Sequence, residues 1–227
     1  MAYKTCVTIA EKTPKKLSQI VKKAAKKSNY VEIRFDFLNP HQVPESLELV
    51  KKYLKRSVCT LRPKSEGGKF SGSESERLSI LKLIAEYNPF LLDVEYNTLR
   101  KNKQFASYIK KTRTDLLVSW HDFKKTPNDS VLSKILNQMT KFSKNIKIVT
   151  TANSTNDSSR VLSLYNNAQK LNLIAFSMGE YGKMSRILCL FLGSPYTYVS
   201  LGKPIASGQF SLDEIKSIIK ILSLIHI

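Results

Sequence analysis

Short apolar runs alternate along the chain with longer stretches whose apolar residues recur every three or four positions. The first pattern reads as buried strand and the second as amphipathic helix. Strands are predicted at Lys4–Ala10, Tyr30–Asp36, Ser57–Arg62, Phe90–Glu95, Asp115–Trp120, Asn145–Thr151, Asn172–Met178 and Thr197–Leu201. Helices are predicted at Pro14–Ser28, Val43–Leu54, Ser73–Glu86, Asn97–Lys111, Pro127–Phe142, Thr155–Lys170, Tyr181–Leu192 and Ser211–Leu222. Ser73-Glu74-Ser75-Glu76 is a capping box, Thr126-Pro127 puts proline at a first helical position, and Ser211-Leu212-Asp213-Glu214 loads acids near a helix start. Unbroken strand–helix alternation implies a parallel sheet with helical crossovers, and eight such units close a barrel. The predicted fold is α/β, a single-domain (β/α)8 TIM barrel over 1–227; an open, doubly wound sheet is the alternative.

Composition narrows this picture. Hydrophobic residues make up 42% of 227 residues, enough for a sizeable core. No apolar stretch is long enough to cross a bilayer, and Met1–Ala10 leads into a strand without a signal-peptide pattern. A cytoplasmic location without a membrane partner is expected. Cys6, Cys59 and Cys189 are widely spaced and read as reduced, buried apolar residues. His41, His121 and His226 are too scattered for a metal site. The net charge of +19 is spread through nearly every predicted helix, which suits solvated faces better than a nucleic-acid surface. It would also attract anionic substrates.

Some polar residues interrupt the apolar pattern at strand ends. Lys147 lies inside Asn145–Thr151, where an amine needs a partner or must be neutral. A neutral amine attacks carbonyls, so the position suggests covalent Schiff-base chemistry. Taken alone, a strand-edge lysine that reaches water is the simpler reading. In Glu32-Ile33-Arg34-Phe35-Asp36, alternation sends the three charges to one face, inward in a barrel. A structural ion network would account for them as well. Arg62 ends the third strand and leads into Glu66-Gly67-Gly68, within the irregular stretch Pro63–Ser73. Asp93-Val94-Glu95 ends the fourth strand, and Ser119-Trp120-His121-Asp122-Phe123 ends the fifth. His121 is a candidate acid or base, although a lone histidine is more often structural. Arg186 follows the seventh strand and could hold an anion, and Ala206-Ser207-Gly208-Gln209 is a polar turn after the eighth.

The order of these elements resembles type I 3-dehydroquinate dehydratase, the Schiff-base enzyme of the shikimate pathway. The resemblance runs from Cys6 to about Gln209 and is most specific at Glu32–Asp36, Arg62–Gly68, Ser119–Phe123 and Ser177–Arg186. It implies that Lys147 forms the imine, that His121 is the general acid and base, and that Glu66 orients His121. It implies that Glu32, Arg34 and Arg62 line the substrate site, with Thr8 as a first-strand hydroxyl. Arg186 would hold the substrate carboxylate and Gln209 would contact substrate. Where the family often reads Ser-Ala-Pro-Gly-Gln, this chain reads Ile205-Ala206-Ser207-Gly208-Gln209. One substrate hydrogen bond is then lost or supplied by Ser207.

The chemistry follows from these assignments. A protonated imine is a better electron sink than a ketone. Lys147 would supply it, its amine kept neutral by burial and by Arg34, Arg62 and Arg186 nearby. His121 would take the proton alpha to the carbonyl carbon and return one to the departing hydroxyl. No metal or organic cofactor is required. The expected partners are the anionic 3-dehydroquinate and a second copy in a homodimer, with no nucleic acid. The competing expectations are a class I aldolase-type barrel and a basic nucleic-acid-binding protein.

Overall fold

The computed structural model of the protein describes residues 3–224. Its eight strands are β1 (Thr5–Ile9), β2 (Tyr30–Arg34), β3 (Ser57–Thr60), β4 (Leu91–Glu95), β5 (Leu116–Asp122), β6 (Asn145–Thr151), β7 (Asn172–Met178) and β8 (Thr197–Ser200). They pair in the order β7-β6-β5-β4-β3-β2-β1-β8, and every ladder is parallel. Because β1 pairs with both β2 and β8, the sheet curls into a nearly closed barrel. This excludes the open doubly wound alternative. Among the described residues no ladder joins β7 to β8.

The helices are α1 (Pro14–Ala25), α2 (Val43–Val50), α3 (Glu74–Glu86), α4 (Tyr96–Lys101), α5 (Lys103–Lys111), α6 (Asp129–Met139), α7 (Thr155–Ser163), α8 (Ser185–Phe191) and α9 (Leu212–Leu224). α1 shows why they form: Pro14, Leu17, Val21 and Ala24 bury one stripe, and the lysines between them face water. At α3 the Ser73 hydroxyl accepts from the Glu76 amide at 3.1 Å. The reciprocal capping box forms instead at α9. There Ser211 Oγ accepts from Glu214 N at 3.2 Å, and Glu214 Oε2 accepts from Ser211 N at 2.7 Å.

Local chemistry shortens several predicted helices. α6 starts two residues after Pro127, because Asn128 Oδ1 accepts from Val131 N at 3.0 Å and takes the cap. The predicted helix Asn97–Lys111 is two, broken at Asn102, whose side chain bonds back to the Thr98 carbonyl at 3.0 Å. α8 begins at Ser185 rather than Tyr181. Gly182 packs so tightly that an added Cβ would lie 2.4 Å from the Met178 carbonyl oxygen, and the chain turns there before the helix starts.

Strand alternation sorts the side chains into two cores. Val31, Ile33, Leu92, Val94, Val118, Ile146 and Ile148 point outward and pack under the helices. Cys6, Val58, Leu91, Leu117, Val149, Ile174, Phe176, Tyr196 and Tyr198 form a second apolar cluster within the ring. All three cysteines are buried and free. The remaining inward positions near the strand ends are polar: Glu32, Thr60, Arg62, Asp93, Glu95, Ser119 and Lys147 are all buried. A polar layer at the C-terminal ends of parallel barrel strands is where such folds place their chemistry.

Candidate active site

A cavity of about 310 Å³ opens at these strand ends. All ten residues singled out in the sequence line it: Thr8, Glu32, Arg34, Arg62, Glu66, His121, Lys147, Arg186, Ser207 and Gln209. Parallel register explains the lysine and histidine. Ser119 of β5 lies beside Lys147 of β6, and His121 lies beside Val149 two residues further on. Odd-numbered positions of both strands face inward, so Lys147 sits one step deeper than His121.

Lys147 is only 6% exposed. Its Nζ lies 3.3 Å from Asp93 Oδ2 and 3.7 Å from Glu32 Oε1, and 4.4 Å from the centre of the Tyr198 ring. This corrects the expected electrostatics. The charged groups nearest the amine are carboxylates, and two of the three arginines expected to act on it, Arg34 and Arg62, are engaged with carboxylates of their own. Arg34 makes a bidentate pair with Asp36, at 2.7 and 2.8 Å. Asp36 itself does not continue β2 on its inward face. It lies in a turn beyond the strand, and its Oδ2 also accepts from Lys69 N at 3.0 Å.

Arg62 is likewise held rather than free to clamp a ligand. It donates to Asp93 Oδ2 at 2.6 Å, Glu95 Oε1 at 2.6 Å and Ser119 Oγ at 2.7 Å. Ser119 passes its own hydrogen to Asp93 Oδ1 at 2.6 Å, and Arg77 holds the other Glu95 oxygen at 2.7 Å. Burial pushes the Asp93 carboxyl up, but Arg62 and Lys147 pull harder and hold it well below the usual range. The result is a satisfied ion network beneath the cavity. Asp93, Glu95, Ser119 and Arg77 carried no assigned role in the sequence. The Asp-Val-Glu alternation of β4 was the available signal for the first two.

Glu66 and His121 face each other at 3.5 Å, Oε2 to Nδ1, and neither atom has a hydrogen-bond partner among the described residues. Burial, Arg62 and Lys147 all depress the His121 basicity well below the ordinary value of 6.5. The imidazole is therefore neutral at pH 7 and able to accept a proton. Burial, helped by Glu95, raises the Glu66 carboxyl, against the pull of Arg62 and of the Asn97 amide at 3.3 Å. The loop that carries Glu66 depends on two glycines. Gly67 has φ +74°, and an added Cβ there would strike the Phe123 ring at 2.5 Å. A Cβ on Gly68 would lie 2.0 Å from the Arg62 carbonyl oxygen. Phe123 in turn stacks on the His121 ring, with centroids 5.6 Å apart.

Arg186 closes the other side. It is 2% exposed and stacks over the Phe176 ring at 4.4 Å. Its Nη2 donates to the Ser207 carbonyl at 2.9 Å, and its Nε has no partner. Among the described residues no carboxylate pairs with it. Burial pulls its pKa down from the ordinary arginine range to about 10. A buried guanidinium without a counter-charge is a ready anion site. Gln209 ties the last loop down: its Nε2 donates to Thr8 Oγ1 at 3.2 Å, and its Oε1 accepts from Ile205 N at 3.0 Å. Phe176, Met178 and Tyr198 supply apolar walls that the sequence did not single out, and Ile205, the departure noted in the last loop, lines the cavity with them.

Among the described residues, no group of three or more His, Cys, Asp or Glu is arranged to hold a metal ion. No described helix is long and apolar enough to cross a membrane.

Barrel enzymes bind and transform their substrates at the C-terminal strand ends, and this cavity occupies that position. The chain belongs to the type I 3-dehydroquinase family, whose profile, described as Type I 3-dehydroquinase, matches residues 5–226. A 3-dehydroquinate dehydratase of Pyrococcus abyssi is 37% identical over 212 residues, covering 91% of this chain and 95% of the relative. One from Methanococcus maripaludis is 32% identical over 221 residues, covering 96% and 99%. The crystal structure of type I 3-dehydroquinate dehydratase from Clostridium difficile, with covalently modified comenic acid, superposes with a TM-score of 0.86. It is 25% identical, with 97% of this chain and 92% of that one covered. The Geobacillus kaustophilus 3-dehydroquinate dehydratase shares the fold at a TM-score of 0.88, with 20% identity and coverage of 99% and 92%.

Proposed function

We infer that this chain is a 3-dehydroquinate dehydratase, a hydro-lyase that forms 3-dehydroshikimate and water through an imine on Lys147. The observation that carries this reading is the meeting in one cavity of a buried guanidinium, Arg186, with no carboxylate partner among the described residues, and a buried amine, Lys147. A substrate with both a carboxylate and a ketone suits the two groups together. Arg186 takes the carboxylate and so fixes the ring over Lys147.

Lys147 passes a proton to His121 and adds to the ketone carbon, and His121 returns that proton to the carbinolamine hydroxyl, which leaves as water and gives the protonated imine. Neutral His121 removes the proton from the adjacent carbon, and the electron pair of that C–H bond flows into the iminium. The resulting enamine expels the hydroxyl on the next carbon, which His121 protonates as it leaves as water. A second water hydrolyses the conjugated imine, releasing product and Lys147. Asp93 and Glu32, poorly suited to the role expected of neighbouring cations, face the iminium charge and stabilise it. Glu66 holds Nδ1 of His121 and balances its charge while it carries the proton. Arg34 and the Thr8–Gln209 pair border the ring, and Ser207 acts through its carbonyl on Arg186.

The reading includes a single catalytic domain, a cytoplasmic location in shikimate-pathway biosynthesis, and a homodimer without nucleic acid. Exposed lysines lie both on α1 and on α5, helices that follow β1 and β4, three strands apart in the sheet, which supports solvated faces over one binding groove. The test is turnover of 3-dehydroquinate, read as ultraviolet absorbance of the conjugated enone. Borohydride added with substrate should leave its mass on the peptide that contains Lys147. Lys147→Ala should abolish both signals. Folded protein that gives neither turnover nor adduct would remove the proposal.

A further inference from the structure

We propose that Asn97, at the start of α4, is a positioning residue of the proton-transfer machinery: its amide holds the Glu66 carboxylate against His121. The proposal rests on the dehydratase reading above and adds a residue to it. The two oxygens of Glu66 are divided between two neighbours. Oε2 faces His121 Nδ1 at 3.5 Å, and Oε1 accepts from Asn97 Nδ2 at 3.3 Å. Among the described residues no other hydrogen bond reaches this carboxylate. Glu66 ends a single helical turn, Lys64–Glu66, on the loop between β3 and α3, so no strand or long helix fixes its side chain. A glutamate held in one place loses much rotamer freedom, and here one amide does the holding.

The alternative place for the carboxylate is a second cavity, of about 510 Å³, on the far side of Glu66. Its lining includes Ser65, Arg77, Asn97, Thr98 and Lys101, and among the described residues Glu66 alone lines both cavities. The carboxylate is therefore a partition between them. Turned into the second cavity it would meet water and the exposed Lys101, and His121 would lose its counter-charge. Asn97 is a firm anchor because its neighbours are locked. Glu95, two residues before it, is gripped by Arg62 and Arg77 at 2.6 and 2.7 Å. Thr98, the next residue, accepts from Arg77 Nη2 at 2.6 Å. The ion network beneath the catalytic cavity thereby reaches the general base as well: Arg77 fixes the start of α4, α4 presents Asn97, and Asn97 aims Glu66. A donor on Oε1 also favours the charged form of Glu66 against the upward push of burial. That charged form is the one that balances a protonated His121. Asn97 does not line the catalytic cavity, so it acts through Glu66 and not on the substrate.

The experiment is steady-state turnover of 3-dehydroquinate by the full chain and by Asn97→Ala, Asn97→Asp, Glu66→Ala and the double variant Asn97→Ala/Glu66→Ala, with circular dichroism as the check on folding. Asn97→Ala should lower kcat about tenfold and leave KM within about twofold, since a hydrogen bond to a charged group is lost away from the substrate. Asn97→Asp keeps the size and suits a helix start, yet it removes the donor and sets a second carboxylate beside Glu66, so kcat should fall at least as far. In the Glu66→Ala background, Asn97→Ala should alter kcat less than about twofold, because nothing is left to position. A residue that merely supports the fold would cost the same in both backgrounds, and that outcome overturns the proposal. A kcat within about twofold of the parent in both single Asn97 variants overturns it too. Folded parent protein without turnover removes the dehydratase reading and this proposal with it, whereas an active parent with insensitive Asn97 variants removes the proposal alone. If Asn97→Ala does not fold, Asn97→Asp and Asn97→Asp/Glu66→Ala decide by the same criteria.

Discussion

Arg186→Met should make the unliganded protein more stable and the enzyme far weaker. The side chain is 2% exposed, and burial pulls its pKa down from the ordinary arginine range to about 10. Each pKa unit corresponds to about 1.4 kcal/mol, so holding this charge in the empty site costs on the order of 3 kcal/mol. Methionine keeps a stem over Phe176 and removes the charge. It also removes one charge-assisted bond to the Ser207 carbonyl, worth about 1.5 kcal/mol or somewhat more. The net gain is roughly 1 kcal/mol, and for a chain of this length that raises Tm by about 2–4 °C. With substrate the balance reverses. Two charge-assisted hydrogen bonds to the carboxylate are lost, about 3–5 kcal/mol, which lowers kcat/KM by roughly 10²- to 10³-fold or more. Differential scanning calorimetry without ligand and steady-state turnover of 3-dehydroquinate measure the two halves. A variant with lowered Tm and kcat/KM within tenfold of the parent would refute the assignment of Arg186 as an uncompensated anion site.

Glu66→Gln preserves the size of the side chain but not its charge, so His121 loses its partner when it carries the proton. With one charge-assisted bond weakened, kcat should fall roughly 10- to 100-fold while KM changes little, and a kcat unchanged within twofold would count against the role. His121 is depressed in the folded state, so folded protein resists protonation where the unfolded chain accepts it. Its contribution to stability is therefore complete above pH 6.5 and declines as pH falls below that value. Urea midpoints between pH 7 and pH 5 should drop less in His121→Gln than in the parent, and an identical drop would contradict the depressed value. The acid limb of kcat/KM should likewise lie below pH 6.5 rather than near neutrality. Asp93→Asn leaves the Arg62 guanidinium buried with one charge fewer, which should cost roughly 3–5 kcal/mol. Chemical denaturation reads this directly, and a loss under 1 kcal/mol would show that the network is not doing what its geometry implies.

Much of this architecture is local and hence legible. Alternation at Glu32-Ile33-Arg34 and Leu117-Val118-Ser119 states which side chains share a face, because a strand has a period of two whatever surrounds it. Eight strand–helix repeats then leave few topologies for a parallel sheet. The same locality located Lys147, His121, Glu66 and Arg186 at or just beyond strand ends. The split at Asn102 and the cap at Asn128 were written in the chain too, but they depend on side-chain bonds to nearby backbone that compete with helical periodicity.

The electrostatic environment of each charge was settled by the tertiary structure. The sequence reading made Arg62 a lining residue of the substrate site and a neutralising neighbour of Lys147. In the barrel it is bound on two sides by Asp93 and Glu95, 31 and 33 residues away, and Lys147 faces acids instead. The partner of a buried charge depends on distances across the ring, and those appear only once β3, β4, β5 and β6 are in register. Arg186 is the converse case, since its lack of a counter-ion is a property of every residue around it at once. The chain's own order thus determined the barrel and the roster of reactive groups. Folding decided which of those groups neutralise one another and which are left to meet a substrate, because Coulomb interactions follow spatial separation and burial rather than sequence spacing.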